Sequence, residues 1–385
     1  MRTVTKKIKK MKRLLCVDTD EDYLSDLPME LLSHILIPIG PRCVDSFRMV
    51  LRFQCINRKL YERVSLCIIP SLKRVPIYCV KLKHLERFHG LETLRTIHPI
   101  DECDIQKWPL LKSLSYSDCI SKPMLMHMTR LEKLVVSFDG CIDGELDNYL
   151  TNLKKLSLNC RMMLSVDIDR ISNLTNLTTL YFGSKFGDDN TRITISTLTN
   201  LKSLSVCNNN TETLITEYQL IGLTNLTHLA IPRHISYQAI SNMKSLNHLC
   251  MLRNNQITDN DLSKLTNLNN LFIAYNTTIT DHGISQLTNL TKLSAIHKVY
   301  ISSDGLQLLT NLTTLDLSFN TSFIITKNLF SMLTNLHNLN ITNSSINIDY
   351  VSHLTWLDVL RHHDVKINGK GLAFLLPSVP LPRYQ

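Results

Sequence analysis

The stretch Leu265-Thr266-Asn267-Leu268-Asn269-Asn270-Leu271-Phe272-Ile273-Ala274-Tyr275-Asn276-Thr277-Thr278-Ile279-Thr280-Asp281-His282-Gly283-Ile284-Ser285-Gln286-Leu287 carries two periods in succession. Leu268, Leu271 and Ile273 give L-x-x-L-x-L spacing, whose last two members alternate with outward positions as in a short strand with one buried face. Ile279, Ile284 and Leu287 follow at helical spacing, with Thr280 and Asp281 placed where an N-cap belongs. The unit therefore reads as strand, turn and returning helix or 3₁₀ segment. Its opening tetrapeptide, Leu-Thr-Asn-Leu, occurs eight times, at 150–153, 174–177, 198–201, 223–226, 265–268, 287–290, 309–312 and 333–336.

Weaker copies extend the series. Taking the leucine that opens L-x-x-L as anchor gives 72, 91, 111, 131, 153, 177, 201, 226, 246, 268, 290, 312, 336 and 357, at intervals of 19 to 25 residues. No unit of that size can bury its own leucines, so the coils must stack, and stacking supplies the core. After the strand several units place an asparagine or cysteine: Cys119, Asn209, Asn254, Asn276 and Asn320. A side chain buried at that turn must bond the backbone of neighbouring coils, which suits a small amide or thiol. Residues 367–375 read as one more return segment, ended by Pro377, Pro380 and Pro382.

These residues resemble a leucine-rich-repeat domain over 69–376, in an α/β solenoid of about 14 coils with strands on the concave face and helical segments on the convex face. The Ile279 to Leu287 wording is similar to repeats of F-box leucine-rich-repeat proteins.

Composition agrees with a stacked array. Leucine occurs 65 times, asparagine 31 times and alanine only 5 times in 385 residues, which disfavours a helical bundle. The net charge of +9 is concentrated: Arg2, Lys6, Lys7, Lys9, Lys10, Lys12 and Arg13 precede any acid, and the remainder holds 35 basic and 33 acidic residues. A nearly neutral body disfavours a broad nucleic-acid face. The basic tail, 1–21, reads as a solvated disordered segment, a nuclear-import signal or a weak anionic contact. No apolar run reaches 18 residues, and Leu14-Leu15-Cys16-Val17 is too brief for a signal peptide. Eleven cysteines without close pairs are expected as free thiols in a reducing compartment. Cys43, Cys55, Cys67 and Cys79 lack the two- to four-residue spacing of zinc ligands. There is no H-E-x-x-H, no G-x-S-x-G and no phosphate-binding glycine loop, so the sequence calls for no catalytic residue, metal, cofactor or small-molecule substrate.

Residues 22–68 do not follow the repeat. Segment 27–36 reads as an amphipathic helix with Pro28 in the first turn, Asp26 and Glu30 near its positive end, and Leu31, Leu32, Ile35 and Leu36 as the apolar face. Two more helical patterns follow, one through Phe47, Val50, Leu51, Gln54 and Cys55, the other over 59–67. The L-P-x-E-[LI]-[LI]-x-x-I-[LF] opening is that of an F-box, so this small all-α module resembles one. Phe53 to Leu60 matches the family's later segment loosely, with Gln54 replacing an apolar residue and the tryptophan missing.

The resemblance implies binding rather than chemistry. It assigns Leu27, Pro28, Leu31, Leu32, Ile35, Leu36, Val50 and Phe53 to a Skp-family adaptor, and through it a cullin, in a ubiquitin ligase whose repeats hold an unidentified target protein. The alternative is a stand-alone leucine-rich-repeat scaffold with a helical cap at 22–68 and a tail at 377–385. A monomer in the cytoplasm is expected, or in the nucleus if the basic tail directs import. The alanine-poor, asparagine-rich composition suggests an A+T-rich genome, such as a protist's or its virus's, which would place the chain in a host cytoplasm.

The target surface is expected on the strands, where positions two, four, six and seven after each anchor point outward. The seventh column reads Arg233, Arg253, Tyr275, His297 and Phe319. The fourth contributes Tyr181, Phe272 and Asp316, and the second His228, His248 and Lys292. Arginine and aromatic side chains of this kind enrich at interface hot spots.

Overall fold

The computed structural model describes residues 74–75, 90–96, 99–138, 142–143, 145–160, 168–183, 193–206, 215–323, 325–326, 328–351, 354, 356–362 and 365–368. The chain divides into two compact units, 1–111 and 112–385. In the first, β1 (Arg74–Val75) pairs in parallel with β2 (Thr93–Thr96), Arg74 opposite Thr93. A helix follows at Glu102–Gln106, started by Asp101, whose carboxylate accepts from the Asp104 N–H at 2.8 Å.

The second unit is built on one sheet: β3 (Ser113–Tyr116), β4 (Lys133–Phe138), β5 (Lys155–Cys160), β6 (Thr179–Phe182), β7 (Ser203–Val206), β8 (His228–Ile231), β9 (His248–Leu252), β10 (Asn270–Ala274), β11 (Lys292–Ile296), β12 (Thr314–Asp316), β13 (Asn338–Asn340), β14 (Val359–His362) and β15 (Val365–Asn368). Strands follow one another in chain order, and every pair from β3 to β14 is parallel. The register sets position two of one coil opposite position two of the next, as in His228↔His248, Asn270↔His248, Asn270↔Lys292 and Lys292↔Thr314. The leucine count from the sequence is thus the sheet register.

Its physical origin is burial. Anchors Leu131, Leu153, Leu177, Leu201, Leu268, Leu290, Leu312 and Leu336 are each fully buried, as are Leu134, Leu180, Ile273 and Leu315 on the inward face of the strands. Each contributes about 1.5–3 kcal/mol on burial, and a one-residue slip would turn the whole set outward. The returning segments are single turns of helix, for instance Asp259–Leu262, Asp281–Ile284 and Ser303–Leu306, with a 3₁₀ turn at Ile168–Asn173.

Three sets of hydrogen bonds clamp neighbouring coils. Asn254, Asn276 and Asn320 are wholly buried at the turn after the strand. Asn254 donates to the carbonyls of Pro232 (3.0 Å) and Ile235 (2.8 Å) and accepts from the N–H groups of Gln256 (3.0 Å) and Ile257 (3.2 Å). Asn276 repeats this, donating to the carbonyl of Asn254 and accepting from Thr278 and Ile279. These residues fill the role read from the sequence.

The second set explains the Thr-Asn-Leu step itself. The asparagine of each such tetrapeptide (152, 176, 200, 225, 267, 289, 311 and 335) donates its amide to a carbonyl of the preceding coil, at 2.8–3.0 Å. The acceptor sits one residue before the equivalent asparagine, so donor and acceptor rows interlock along the array.

The third set explains the Ile-Thr-Asp-x-Gly wording. Asp259 accepts from the N–H (2.8 Å) and hydroxyl (2.5 Å) of Thr280, the helix start one coil later, and Asp281 does the same for Ser302, both at 2.6 Å. Thr280 and Ser302 then cap their own helices by accepting from His282 (3.4 Å) and Asp304 (3.1 Å). Glycine is needed because the coils touch there: a Cβ on Gly283 would lie 2.9 Å from Asp259 Cα, and one on Gly305 would lie 2.8 Å from Asp281 Cα.

Two expectations are corrected. Cys119 does not join the buried turn column; it is exposed and disulfide-bonded. Cys119 thus departs from the expected free thiols, while Cys103 and Cys250 are not in disulfides. Ile367 and Asn368 do not begin another return segment. They lie in β15, which turns back antiparallel on β14, His362 opposite Val365 and Leu360 opposite Ile367. Backbone groups on an edge strand otherwise stay unpaired, and an antiparallel cover is one way to close the edge.

Candidate protein-interaction surface

The outward columns of β7 to β12 meet in one face. A depression of about 430 Å³ crosses it, lined among others by His228, His248, Asn270, Phe272, Lys292 and Asp316. The four of these predicted from sequence as target-binding residues, His228, His248, Phe272 and Asp316, are therefore brought together. His228 and His248 stack with ring centroids 3.8 Å apart. Thr227 Oγ1 lies 2.8 Å from His228 Nδ1, and the Asn247 side chain holds His248 Nδ1, fixing both rings by neighbours in sequence. The His248 imidazole is held below its ordinary range, first by desolvation, then by His228 and Lys292 beside it. Asp316 faces the same depression but is already engaged: its carboxylate accepts from the Ser318 N–H (3.0 Å) and hydroxyl (2.6 Å) and from the Asn340 amide (3.0 Å).

Beyond the strand ends stands a second row. Arg253, Tyr275, His297 and Phe319 all adopt left-handed backbone, with φ of 55°, 51°, 59° and 56°, and Asn343 continues the column at 52°. The cause lies on either side of each residue. Backbone N–H groups of Arg253, His297 and Phe319 donate to the next coil (Ala274 O at 2.8 Å, Ser318 O at 3.2 Å, Thr342 O at 2.8 Å). After Arg253, Tyr275 and Phe319 the left-handed turn sends the following residue inward, where Asn254, Asn276 and Asn320 find their partners, whereas Lys298 after His297 is exposed. Left-handed backbone costs an ordinary L residue roughly 1–2 kcal/mol, and glycine or asparagine relieves most of it. Four successive coils instead carry an arginine, a tyrosine, a histidine and a phenylalanine there.

Those side chains form a ladder. The Arg253 guanidinium sits 5.0 Å from the Tyr275 ring centroid, Tyr275 stacks on His297 at 4.1 Å and 13°, and His297 stacks on Phe319 at 5.3 Å and 24°. Tyr275 and Phe319 remain 37% and 49% exposed, so the ladder offers its edges to solvent while its ring faces cover one another.

The remaining predicted residues do not assemble here. Arg233 is exposed after Pro232 but lacks the left-handed turn and stands outside the ladder, because its coil spans only 20 residues between anchors 226 and 246. Tyr181 lies on β6, one strand beyond Ser205, which lines the depression, and is not itself among the lining residues. Leu27, Pro28, Leu31, Leu32, Ile35, Leu36, Val50 and Phe53 lie outside the described residues. Sequence reading omitted Asn270, Cys250 and Ser294, which line the depression, and Asn343, which ends the left-handed column. Their signal was the same column count; small polar side chains simply did not draw notice. No group of side chains suited to holding a metal ion occurs among the described residues. No helix among them is long and apolar enough to cross a membrane.

A parallel sheet in chain order, one leucine ladder per coil and an asparagine at the turn define a leucine-rich-repeat solenoid. No protein-family model matches the chain, and neither does any curated protein. Among solved structures it is similar to an internalin from Listeria monocytogenes at 22% identity, over 77% of this chain and 88% of that one, with a TM-score of 0.50. A leucine-rich-repeat protein from Leptospira interrogans matches at 20% identity over 76% and 82%, with a TM-score of 0.48. The likeness to the internalin establishes the repeat fold.

Proposed function

We propose that the chain is a protein-interaction scaffold that binds a partner protein on the outward face of β8 to β12. The observation that carries this reading is the strained ladder of Arg253, Tyr275, His297 and Phe319 beside the open depression. Exposed arginine and aromatic side chains held rigid before binding lose little entropy on docking. The test is a binding assay against an identified partner. The double substitution Arg253→Ala with Tyr275→Ala is expected to lower affinity at least tenfold, and unchanged binding would overturn the reading.

The finer reading is that 22–68 docks a Skp-family adaptor and so couples the bound partner to a ubiquitin ligase. It is supported by the match of Leu27, Pro28, Leu31, Leu32, Ile35 and Leu36 to an F-box opening. Full-length protein is then expected to co-purify with the adaptor, and Leu31→Asp with Ile35→Asp to abolish that association while leaving the partner bound to the repeats. Adaptor binding that survives both changes would remove the ligase reading.

A stand-alone scaffold is the second reading, favoured by the disulfide at Cys119. Disulfides persist in oxidising surroundings and are rare where glutathione keeps thiols reduced. Thiol labelling of protein drawn directly from its native compartment decides this point: a labelled Cys119 favours the ligase, a protected one the scaffold.

A further inference from the structure

The proposal that the sheet face binds a protein leaves open the chemistry of that protein, and the charge on the face narrows it. Along the outward columns from β7 to β12 the full charges are Arg233, Arg253, Lys292 and Asp316. The only acid of that set, Asp316, already accepts three hydrogen bonds from Ser318 and Asn340. Among the described residues no carboxylate pairs with Lys292, which stands one strand from Asn270 and two from His248.

The ladder adds donors of the same sign. Aromatic rings are negative on their faces and positive at their edges. Because stacking covers both faces of His297 and one face each of Tyr275 and Phe319, and Arg253 lies over Tyr275, the ladder turns mainly its positive edges toward solvent, together with whatever polar atoms they carry. At its end the Arg253 guanidinium lies over Tyr275, which leaves its N–H fork available for a planar carboxylate. Phe272, half-buried on β10, lies between the two rows and supplies apolar area.

We propose, on the basis of the scaffold reading above, that this face takes an acidic protein segment: one carboxylate group against the His228–His248–Lys292 row, a second against the Arg253 end of the ladder, and an apolar side chain on Phe272 between them. The two rows are five positions apart along each coil, on the order of 15 Å at the rise of a strand. A polyanion such as RNA or a sulfated glycan fits less well. It draws its affinity from many neutralised phosphates or sulfates, and only isolated lysine and arginine side chains occur here. Bases also cannot insert between the rings, which lie 4.1 and 5.3 Å apart.

The experiment selects binders from a displayed random 16-residue peptide library on the full chain at neutral pH. The selected peptides are then measured against native protein, Lys292→Glu, and Arg253→Asp; aspartate is chosen because it tolerates left-handed backbone. Enriched peptides are expected to hold at least twice the library's share of Asp and Glu, in two clusters flanking an apolar residue. Their affinity is expected to fall at least tenfold for each variant and to recover when lysine replaces the acids facing the altered residue. Enrichment of neutral or basic peptides that still compete for the sheet face would overturn the acidic inference and leave the scaffold reading standing. Peptides that bind the charge-reversed proteins as well as native would overturn both, as would a library that yields no binder. A 12-nucleotide single-stranded RNA or heparin that binds more tightly than the best peptide, and loses that binding with Lys292→Glu, would replace the protein segment with a polyanion.

Discussion

The coils from β4 to β7 and those from β9 to β12 share a sheet, a register and a leucine ladder, yet they are fastened differently. In the earlier run the described links include ion pairs, Lys154 with Glu132 at 3.0 Å and Arg170 with Glu145 at 3.4 Å and Asp147 at 3.6 Å, and the Asn173 amide donates to Asp147 at 2.8 Å. In the later run they are buried asparagines and the Asp259 and Asp281 clamps onto Thr280 and Ser302. Anchors in the later run recur every 22 residues, whereas those from 131 to 201 vary between 22 and 24. Identical length lets identical turns stack. In the later run four side chains fall on one line and make a ladder. Leucines hold both runs together, and in the later run the repeated turn also aligns the ladder.

That difference can be broken most severely at the buried amide. Asn254→Ala would take a partner from two carbonyls and two N–H groups, stranding the Ile235 carbonyl and the Ile257 N–H, while the Pro232 carbonyl keeps a bond from Ile235 N–H at 3.4 Å. At about 1–3 kcal/mol for a buried group left unsatisfied, with partial relaxation, a loss of about 3 kcal/mol is expected in urea unfolding. Should Asn254→Ala cost no more than an exposed substitution, the amides are not the fastening of the later run.

The helix clamp ranks next. Gly283→Ala brings a methyl group to 2.9 Å from Asp259 Cα, so backbone must shift, and overpacking of this kind costs about 1–3 kcal/mol. The same substitution at Gly222 is the control: its nearest neighbour would be Ser196 O at 3.8 Å, and stability should be unchanged or slightly raised.

Tyr275→Asn separates stability from recognition. Asparagine accepts φ near 51° more readily than tyrosine, so thermal stability should hold or rise by up to about 1 kcal/mol. Partner binding should fall, because the ladder is cut between Arg253 and His297. Loss of both stability and binding would mean that the stack itself keeps the turn folded.

A smaller effect is expected from pH. His248 lies among His228 on β8, Asn270 on β10 and Lys292 on β11, and its pKa is lowered by desolvation first, then by His228 and Lys292. An acidic ligand favours the protonated ring and so raises that pKa. By linkage, affinity must grow as pH falls through the histidine range, reaching its plateau below the depressed value of the free protein. Roughly three- to tenfold tighter binding of an acidic peptide is expected between pH 7.5 and 5.5, and His248→Asn should flatten the dependence. The smallest effect belongs to the earlier run: Lys154→Met removes an ion pair whose partners are 56% and 43% exposed, and less than about 0.5 kcal/mol should be lost.

Much of this architecture was legible before any coordinates. Counting from each leucine anchor gave the strand register across the array, including Ser113 opposite Lys133 in its first coils. The same count placed His228, His248, Phe272 and Asp316 on one face and Arg253, Tyr275, His297 and Phe319 in one column. It also gave the buried role of Asn254, Asn276 and Asn320. It did not reveal that the seventh column is left-handed, since bulky residues are not expected there. Nor did it show that Arg233 stands apart, that Cys119 is disulfide-bonded, or that Val365–Asn368 turns back on β14.

The sequence by itself determined the period, the inward face and the outward columns, because burying leucine at fixed intervals leaves only one way to stack coils of this length. Tertiary structure alone decided which outward residues work together. Stacking of Tyr275 on His297, the grip of Asp281 on Ser302 and the line of eight exposed asparagine amides are all contacts between coils. They connect atoms about one repeat apart in the chain and a single strand spacing apart in space. Their strength depends on distances and angles set only once every turn has closed.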